Sequence, residues 1–452
     1  MSSSQNSKNH LEEIPVYSVG HTENALHFLD ELATRCDTPV GSYDSSYGRV
    51  LFVSHPDSVK SVIRSANYVR TPLLSLALGQ GLITSEGEYW HNQRRLAQPV
   101  FHGHCMPGFA TVVTDSMVNM LCEWESSQLC EAPFDLAVQM RYVTLQVIVK
   151  AMFSIDLDLK TAEQWDVVFQ TVISDTSPFA LALFNQPTTV SPARNKVFKE
   201  ALGVVDEIIY TMIADRRTLK DQPRDLLTLL VNGEYKKQEE PLTDLQIRDE
   251  VITMLFAGHE TTAIAISWTL HLLGKHPDAM QRVVAEIDHE LKGEIPSYQD
   301  LPRLSELKKV FEESMRLYPP VWVLTRQAKE EDEIAGYRIP AKALVIVSPY
   351  TTQRHPDFWN EPTRFDPERF SDEQSAGRHR TAYIPFLSGR HQCLGKPFAL
   401  MEGQLMLAML LQRYSIAPVA GFSVTPDPGA TLRLKNGMMV TATRRRVTKA
   451  SV

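Results

Sequence analysis

The chain has 452 residues, of which 43% are hydrophobic, and it carries a formal net charge of −8 at pH 7. This length and this apolar content are sufficient for one large domain with an extensive core. The negative net charge argues against a protein that binds nucleic acid through non-specific electrostatic attraction.

The N-terminus and the cysteines indicate the cellular compartment. Residues 1–16 (MSSSQNSKNHLEEIPV) are polar and lack the apolar core of a signal peptide, and no uninterrupted apolar run approaches the roughly 18 residues of a membrane span. We therefore expect a polar, flexible segment over residues 1–13, one domain over residues 14–452 and no membrane anchor. The cysteines are few, odd in number and scattered (Cys36, Cys105, Cys122, Cys130 and Cys393), which favours the reducing cytoplasm.

The first half of the chain is mostly helical in its pattern. A strand is predicted over residues 47–54, a short helix over 55–65 and an irregular apolar loop over 73–87. Apolar residues then recur at helical spacing in five segments, 90–97, 109–124, 139–153, 165–184 and 195–217.

The second half combines longer helices with strands. A long helix is predicted over residues 244–275, followed by helices over 277–291 and 304–317. A pattern of paired strands over 337–347 and a strand pattern over 424–443 flank a coil rich in proline and aromatic residues. The sequence therefore predicts a mainly α fold with a small, mostly C-terminal β portion.

The middle of the long predicted helix reads AGHETT, residues 257–262. Glycine followed by an acid and two threonines is unfavourable in a helix interior. A threonine hydroxyl can bond to a preceding carbonyl oxygen and open the helix locally to water. The apolar flanks, such as Leu255 and Ile264, argue against a polar patch on a surface helix. We interpret Glu260 and Thr261 as functional residues.

The stretch PFLSGRHQCLG, residues 385–395, places Cys393 between two glycines and directly before a helical pattern. The N–H groups and the dipole of a helix N-terminus favour a thiolate, which is the form that binds metal. Gly389 and Gly395 let the backbone approach a flat ligand closely, and Phe386 gives the sulfur an apolar cover. From this loop alone, a structural cysteine beside turn glycines is the alternative.

Four motifs, in this order, resemble those of the cytochrome P450 family and extend the resemblance from about Val53 to Thr443. They are W-x-x-x-R at 90–94, A-G-x-E-T-T at 257–262, E-x-x-R at 313–316 with P-E-R-F at 367–370, and F-x-x-G-x-H-x-C-x-G at 386–395. The resemblance implies the cytochrome P450 fold, heme b (iron protoporphyrin IX) and Cys393 as the iron ligand. Two positions depart from the family pattern: Leu387 stands where many members have glycine, and the cationic position is His391 with Arg390 beside it.

The resemblance also assigns roles to other residues. Glu260 and Thr261 are expected to deliver protons to oxygen bound at the haem. Glu313, Arg316 and Arg369 are expected to form a buried triad that fixes the coil presenting Cys393. The residues expected to contact the haem, including its two carboxylates, are Trp90, Arg94, Arg326, Phe386, Gly395 and either His391 or Arg390. Those expected to line the substrate pocket are Ala257, Thr261, Val321 and Val323. Trp322 is expected to pack behind them in the core, and the alternative is that it forms a ceiling that narrows the site.

The implied function is a haem-thiolate monooxygenase that inserts one oxygen atom from O2 into an apolar small molecule. The sequence has no flavin or dinucleotide fingerprint and no ferredoxin-type cysteine cluster. Electrons are therefore expected from a ferredoxin or flavodoxin with its NAD(P)H reductase, acting in trans. Two alternatives are a peroxide-driven or isomerising relative, which commonly lacks the acid–threonine pair, and a haem-binding sensor or carrier, which would not need that pair.

Overall fold

A computed structural model describes residues 13–19, 22, 24–185, 192–233 and 241–445, with the backbone only for residues 73, 175–181 and 192–194. Helices hold 58% of the residues and strands 12%, in a single domain, which confirms the prediction of a mainly α fold. Apart from Glu13, the expected flexible segment over residues 1–13 lies outside the described residues.

The described α-helices follow the sequence prediction most closely in the middle of the chain. Helices α10 and α11 have the predicted bounds, and α12 begins one residue later. The sequence pattern does not predict α1, nor the short α3 within the segment interpreted as an irregular loop. In chain order the helices are α1 Ala25–Arg35, α2 Pro56–Arg64, α3 Ser75–Leu78, α4 Gly87–Ala97, α5 Met106–Ser126, α6 Leu136–Phe153, α7 Leu159–Leu183, α8 Pro192–Thr218, α9 Leu226–Asn232, α10 Asp244–Lys275, α11 Pro277–Leu291, α12 Ser305–Leu317, α13 Pro349–Thr352, α14 Asp372–Ser375 and α15 Lys396–Arg413.

Helix α10 lies at the centre of the core. It begins with a capping box, in which the side chains of Thr243 and Gln246 each accept a hydrogen bond from the other residue's backbone N–H. It packs against α6, α8, α12 and α15, so its side chains are apolar on nearly every face. All side chains from Ile247 to Leu273 are buried except four in the middle of the helix, Phe256, Ala257, Gly258 and Thr261.

The strands of the described residues form one five-stranded sheet and three smaller ones. The large sheet has the order β1-β2-β8-β5-β3, and the others are β4-β12-β9, β10-β11 and β6-β7. The strands are β1 Gly41–Ser45, β2 Gly48–Val53, β3 Tyr68–Arg70, β4 Phe134–Asp135, β5 Leu324–Ala328, β6 Asp332–Ile334, β7 Tyr337–Ile339, β8 Leu344–Val347, β9 Tyr414–Pro418, β10 Pro426–Pro428, β11 Leu432–Leu434 and β12 Met439–Arg444.

The β portion is mostly C-terminal, as expected, since eight of the twelve described strands lie after residue 320, but the large sheet is an exception. Three N-terminal strands pair there with two strands from the second half of the chain, and β2 runs parallel to β8 with Val50 opposite Leu344. The strands within residues 337–347 also do not pair with each other, because β7 pairs with β6 and β8 lies between β2 and β5. Local sequence patterns cannot show such distant partners.

Among the described helices, α6 alone has the length and apolar composition of a membrane span, and 67% of that stretch is buried inside the protein. This is the environment of a core helix. Its neighbour α10 approaches closely at Gly258, where an added Cβ would lie 2.4 Å from Ile148 Cδ1 and 2.7 Å from Ile148 Cγ1. Packing against α6 therefore requires the glycine of the AGHETT motif.

Substituting Gly258→Ala is expected to destabilise the fold by about 1–3 kcal/mol, because the added methyl group overpacks the contact with Ile148. The measurement is the melting temperature of the purified protein. Gly203→Ala is the matched control, since that glycine lies within α8 with no heavy atom within 4 Å of an added Cβ. The control is expected to gain about 1 kcal/mol from helix propensity. A Gly258→Ala protein that melts as high as the Gly203→Ala control would contradict this account of the contact.

Candidate active site

A cavity of about 380 Å³ lies between α10 and the loop that contains Cys393. Helix α10 contributes the four less buried residues of its central turns, Phe256, Ala257, Gly258 and Thr261. The cysteine loop contributes Phe386, Cys393 and Gly395, among others. The lining is mostly apolar, as is usual for small-molecule sites.

The cysteine loop is closed by a hydrogen bond from Cys393 N–H to the Phe386 carbonyl oxygen, at 2.9 Å. Leu387 has φ +55°, a left-handed conformation that favours glycine, and this explains why the family often has glycine there. Gly389 also has positive φ, and its Cβ would lie 3.0 Å from Arg64 Cγ. The turn conformation and the close contact with α2 therefore require glycine at position 389. The expected reason, close approach of a flat ligand, does not apply to this glycine. Gly395 does face the cavity.

The thiol of Cys393 opens onto the cavity directly before α15. Burial by the surrounding protein raises the pKa of this thiol, while the backbone N–H groups of Gly395 and Lys396 and the charges of Arg94 and Lys396 lower it. The helix N-terminus thus acts in the direction that the sequence predicts, but desolvation outweighs it when no metal is bound.

One end of the cavity is strongly cationic. Arg70, Trp90, Arg94, Arg326 and His391 all line it. Burial lowers the pKa of Arg326 to about 10, and burial together with the charge of Arg326 lowers that of Arg70 to about 10. The indole Nε1 of Trp90 is buried and has no hydrogen-bond partner among the described residues. These groups would suit the carboxylates of a ligand, since cations and a free N–H donor converge there.

Glu86 partly balances this charge. Its carboxylate lies 3.4 Å from His391 Nε2 and accepts a hydrogen bond from the Arg70 backbone N–H at 2.9 Å. Burial alone would raise the pKa of Glu86, but the bonds from His391 and Arg70 lower it to about 2. Of the two residues left open by the sequence, His391 lies on the cavity wall, whereas Arg390 points to His91, with Nη2 3.3 Å from its Nε2.

Arg70 at this end of the cavity was not predicted from the sequence. It lies beside Arg326 because β3 pairs with β5 and sets these two residues opposite each other. No spacing or motif connects them in the sequence.

The structure brings Glu313, Arg316 and Arg369 together. Arg316 donates from Nε and Nη2 to the two oxygens of Glu313, at 2.6 and 2.8 Å, and both side chains are fully buried. Arg369 Nε lies 3.5 Å from Glu313 Oε1. Arg316 also donates to the carbonyl oxygens of Gln353, Pro362 and Arg364. This cluster ties α12 to the coil before the cysteine loop.

Gln353 is a second residue that the sequence analysis missed. Its buried amide donates to the carbonyl oxygens of Met315 and Arg316, both at 3.0 Å, and accepts a hydrogen bond from the Ile384 N–H at 2.9 Å. It therefore links the end of α12 to the start of the cysteine loop.

The acid and the threonine of the α10 motif have different positions. Thr261 lines the cavity and donates its hydroxyl proton to the Ala257 carbonyl oxygen at 2.5 Å. Glu260 is buried outside the cavity wall, where it pairs with Arg433 and accepts a hydrogen bond from Thr431 Oγ1 at 2.9 Å. Thr431 itself lines the cavity. Glu260 is thus connected to the cavity through Thr431, which has no recognisable signal in the sequence.

The four residues expected to line the substrate pocket, Ala257, Thr261, Val321 and Val323, all lie on the cavity wall. Trp322 lies between the two valines and is turned into the core, where its Nε1 donates to the Gly429 carbonyl oxygen at 2.9 Å. Alternation along the extended chain after Pro320 gives this arrangement.

Comparisons with known proteins agree with this geometry. The cytochrome P450 family profile matches residues 14–440. Cyclooctatin synthase of Streptomyces melanosporofaciens is 34% identical over 385 residues, covering 84% of this chain and 83% of the relative. Cyclooctat-9-en-7-ol 5-monooxygenase from the same organism is 31% identical, covering 89% and 88%. Pentalenene oxygenase of Streptomyces avermitilis is 28% identical, covering 93% of each chain.

A solved structure shows the same fold. The crystal structure of the cytochrome P450DA heme domain superposes with a TM-score of 0.87 at 23% identity, covering 97% of this chain and 99% of that one. Fold and relatives together define an oxidoreductase of the monooxygenase class. The chain belongs to the cytochrome P450 family, as the profile match and the 34% identical relative show. Membership implies a haem cofactor.

Substituting Glu313→Gln is expected to cost about 3–5 kcal/mol, because it leaves the fully buried guanidinium of Arg316 without its counter-charge. The measurements are the yield and the melting temperature of folded protein. Glu361→Gln is the matched control, since Glu361 and Arg364 form the same i,i+3 pair with both side chains exposed. That change is expected to cost no more than about 1 kcal/mol. Equal effects in the two variants would contradict the structural role of the cluster.

Proposed function

We propose that the protein is a haem-thiolate monooxygenase that inserts one oxygen atom from O2 into a C–H or C=C bond of an apolar small molecule. The observation that carries the proposal is the position of Cys393 and of the Ala257–Thr261 turn on one cavity whose end is cationic. Family membership supports the reaction class.

The residues around the cavity fit heme b. The unpartnered N–H of Trp90, the cations of Arg94 and Arg326 and the imidazole of His391 would hold its carboxylates, and Arg70 adds a further cation. Cys393 would ligate the iron, and Phe386 and Gly395 would lie beside the macrocycle. When bound, a thiolate-ligated haem supplies the chemistry that cleaves the O–O bond.

Residues of this chain would hold and transfer protons on the α10 side of the cavity. The hydroxyl proton of Thr261 is donated to Ala257, so its oxygen is free to accept a hydrogen bond from a water in the cavity. The carboxylate of Glu260, held by Arg433 and Thr431, would exchange protons with the cavity through the Thr431 hydroxyl. The apolar side chains of Ala257, Val321 and Val323 would orient the substrate and exclude bulk water.

The substrate is proposed to be largely hydrocarbon. Val321, Val323, Ala257 and Phe256 offer only apolar contacts, and the polar groups of the wall outside the cationic end are mostly threonine hydroxyls. Two of the relatives are named for an alkene, pentalenene, and for an unsaturated alcohol, cyclooctat-9-en-7-ol. An alkene or a lightly oxidised alkene suits this cavity, and either hydroxylation or epoxidation would follow.

The electrons are proposed to come from a separate ferredoxin or flavodoxin with its NAD(P)H reductase, because the chain has no fingerprint for binding flavin or dinucleotide. A cytoplasmic location is part of the same proposal. Residues 14–452 are proposed to form the haem domain.

Substituting Cys393→Ser is expected to abolish the red-shifted Soret band of the reduced carbon monoxide complex, because that band depends on thiolate ligation. The measurement is the reduced-minus-oxidised difference spectrum under carbon monoxide. Cys122→Ser is the matched control, since Cys122 is an exposed cysteine outside the cavity lining, and it is expected to keep the band. A Cys393→Ser protein that keeps the band with full haem occupancy would disprove the proposal.

Substituting Thr261→Ala is expected to lower the product formed per NAD(P)H consumed, by about tenfold or more, and to increase hydrogen peroxide release, because a positioned hydrogen-bonding group at the reacting oxygen is lost. Ligand-induced spectral shifts are expected to remain. Thr269→Ala is the matched control on the same helix: its hydroxyl makes the same bond, to the Ala265 carbonyl oxygen at 2.7 Å, but lies buried outside the cavity lining. Unchanged coupling in Thr261→Ala would remove this residue from the mechanism.

A further inference from the structure

One wall of the cavity is a short irregular segment held against the first half of α10. We call residues 79–85 the wall segment. Leu82, Ile83 and Thr84 of this segment line the cavity. The segment follows α3, so its position determines the shape of the cavity opposite α10.

A single polar turn of α10 binds the backbone of this region. The N–H of Gln80 donates to Asp249 Oδ2 at 2.7 Å, and the N–H of Leu82 faces the Glu250 carboxyl group and lowers its pKa. Arg248 donates from Nη1 to the Ala77 carbonyl oxygen at 3.3 Å. Three consecutive side chains of α10 therefore bind residues 77–82 of the chain.

Two glycines allow the close approach that these bonds need. A Cβ on Gly79 would lie 2.2 Å from the carboxyl atoms of Asp249. A Cβ on Gly81 would lie 2.1 Å from Thr253 Oγ1 and 2.4 Å from the Asp249 backbone oxygen. Because backbone atoms cannot move aside as a flexible side chain can, any larger residue at 81 must displace the wall segment.

Glu250 is unusual among the groups that hold the wall segment, because its carboxyl is buried and its Oε1 has no hydrogen-bond partner among the described residues. Burial raises its pKa to about 8, the Leu82 N–H lowers it and the charge of Asp249 raises it further. The adjacent cation Arg248 is shared between Asp249 and Asp206 of α8.

Among the described residues, the other groups near this turn offer Glu250 no counter-charge. From α4 the phenol of Tyr89 faces it, next to the neutral amide of Gln93. From α8 Tyr210 faces Arg248 and Asp249. An ionised Glu250 would therefore add a second buried negative charge beside Asp249, and local opening of the wall segment would let water solvate it.

We propose that Asp249 and Glu250 form a latch that positions the wall segment over the substrate cavity, and that the latch is closed while Glu250 carries a proton. The group binds its proton more tightly when the segment is closed than when it is open. Stability of the closed form is therefore complete below the ordinary carboxyl pKa of 4.5 and is lost progressively up to about pH 8. Above that pH Glu250 is ionised in the closed form as well, so the stability of the closed form decreases no further.

Hydrogen exchange of the haem-loaded protein tests the latch directly. After correction for the pH dependence of intrinsic exchange, protection of the Gln80 and Leu82 amides is expected to fall by up to about tenfold per pH unit between pH 6 and 8. Glu250→Gln, which keeps an acceptor and cannot ionise, is expected to show no fall. Gly81→Ala is expected to have low protection already at pH 6.

Glu402→Gln is the matched control. Glu402 is also fully buried with a pKa raised to about 8, but it lies on α15 and not beside the wall segment. Removing its charge is expected to leave the pH-dependent fall intact. Constant protection in the unmodified protein, or a fall that persists in Glu250→Gln, would overturn the latch. That the cavity beneath the wall segment binds a substrate rests on the proposed function, but the exchange measurement needs no substrate and no turnover, so the two can fail separately.

Discussion

The guanidinium of Arg316 is the charge around which the haem side of the molecule is organised. It is fully buried, so every one of its donors must find an acceptor. One acceptor is a carboxylate one helical turn away, Glu313, and the others are carbonyl oxygens of a coil that runs from Gln353 to Arg364. A coil without regular secondary structure has few internal hydrogen bonds, and this single cation supplies several. The position of that coil determines where the following cysteine loop lies.

How much of this could be predicted depended on whether the partners are close in sequence. The pairs Glu313–Arg316 and Trp90–Arg94 could be predicted because one helical turn contains each pair. Each of the other motifs likewise lies within one helix or one loop. The bounds of α10 and α11 were also predictable from periodicity and capping. By contrast, Arg70 reaches the cationic end of the cavity only through the pairing of β3 with β5. Thr431 and Arg433 reach Glu260 from the β10–β11 region, and neither shows a pattern of its own.

Different turns of α10 have different roles. The turn at 248–250 binds the backbone of a neighbouring segment, the turn at 257–261 faces the cavity, and the residues after it are core. Its acidic residues are therefore not interchangeable: Asp249 and Glu250 face the wall segment, whereas Glu260 binds Arg433 and Thr431. These contacts fix the positions of different neighbouring segments relative to α10. In this helix, Asp249, Glu250 and Glu260 each specify a separate contact.

The mixed origin of the five-stranded sheet has a consequence for the order in which the molecule is made. Strands β1, β2 and β3 are synthesised first, yet β2 and β3 take β8 and β5 as neighbours, which emerge from the ribosome some two-thirds of the chain later. Such non-local pairing is slow because a long loop must close before the contact forms. Until then the N-terminal strands keep open edges, which are prone to pair with other chains. Arg70 meets Arg326 only when that sheet closes, so the cationic end of the cavity can be completed only after β5 has been synthesised.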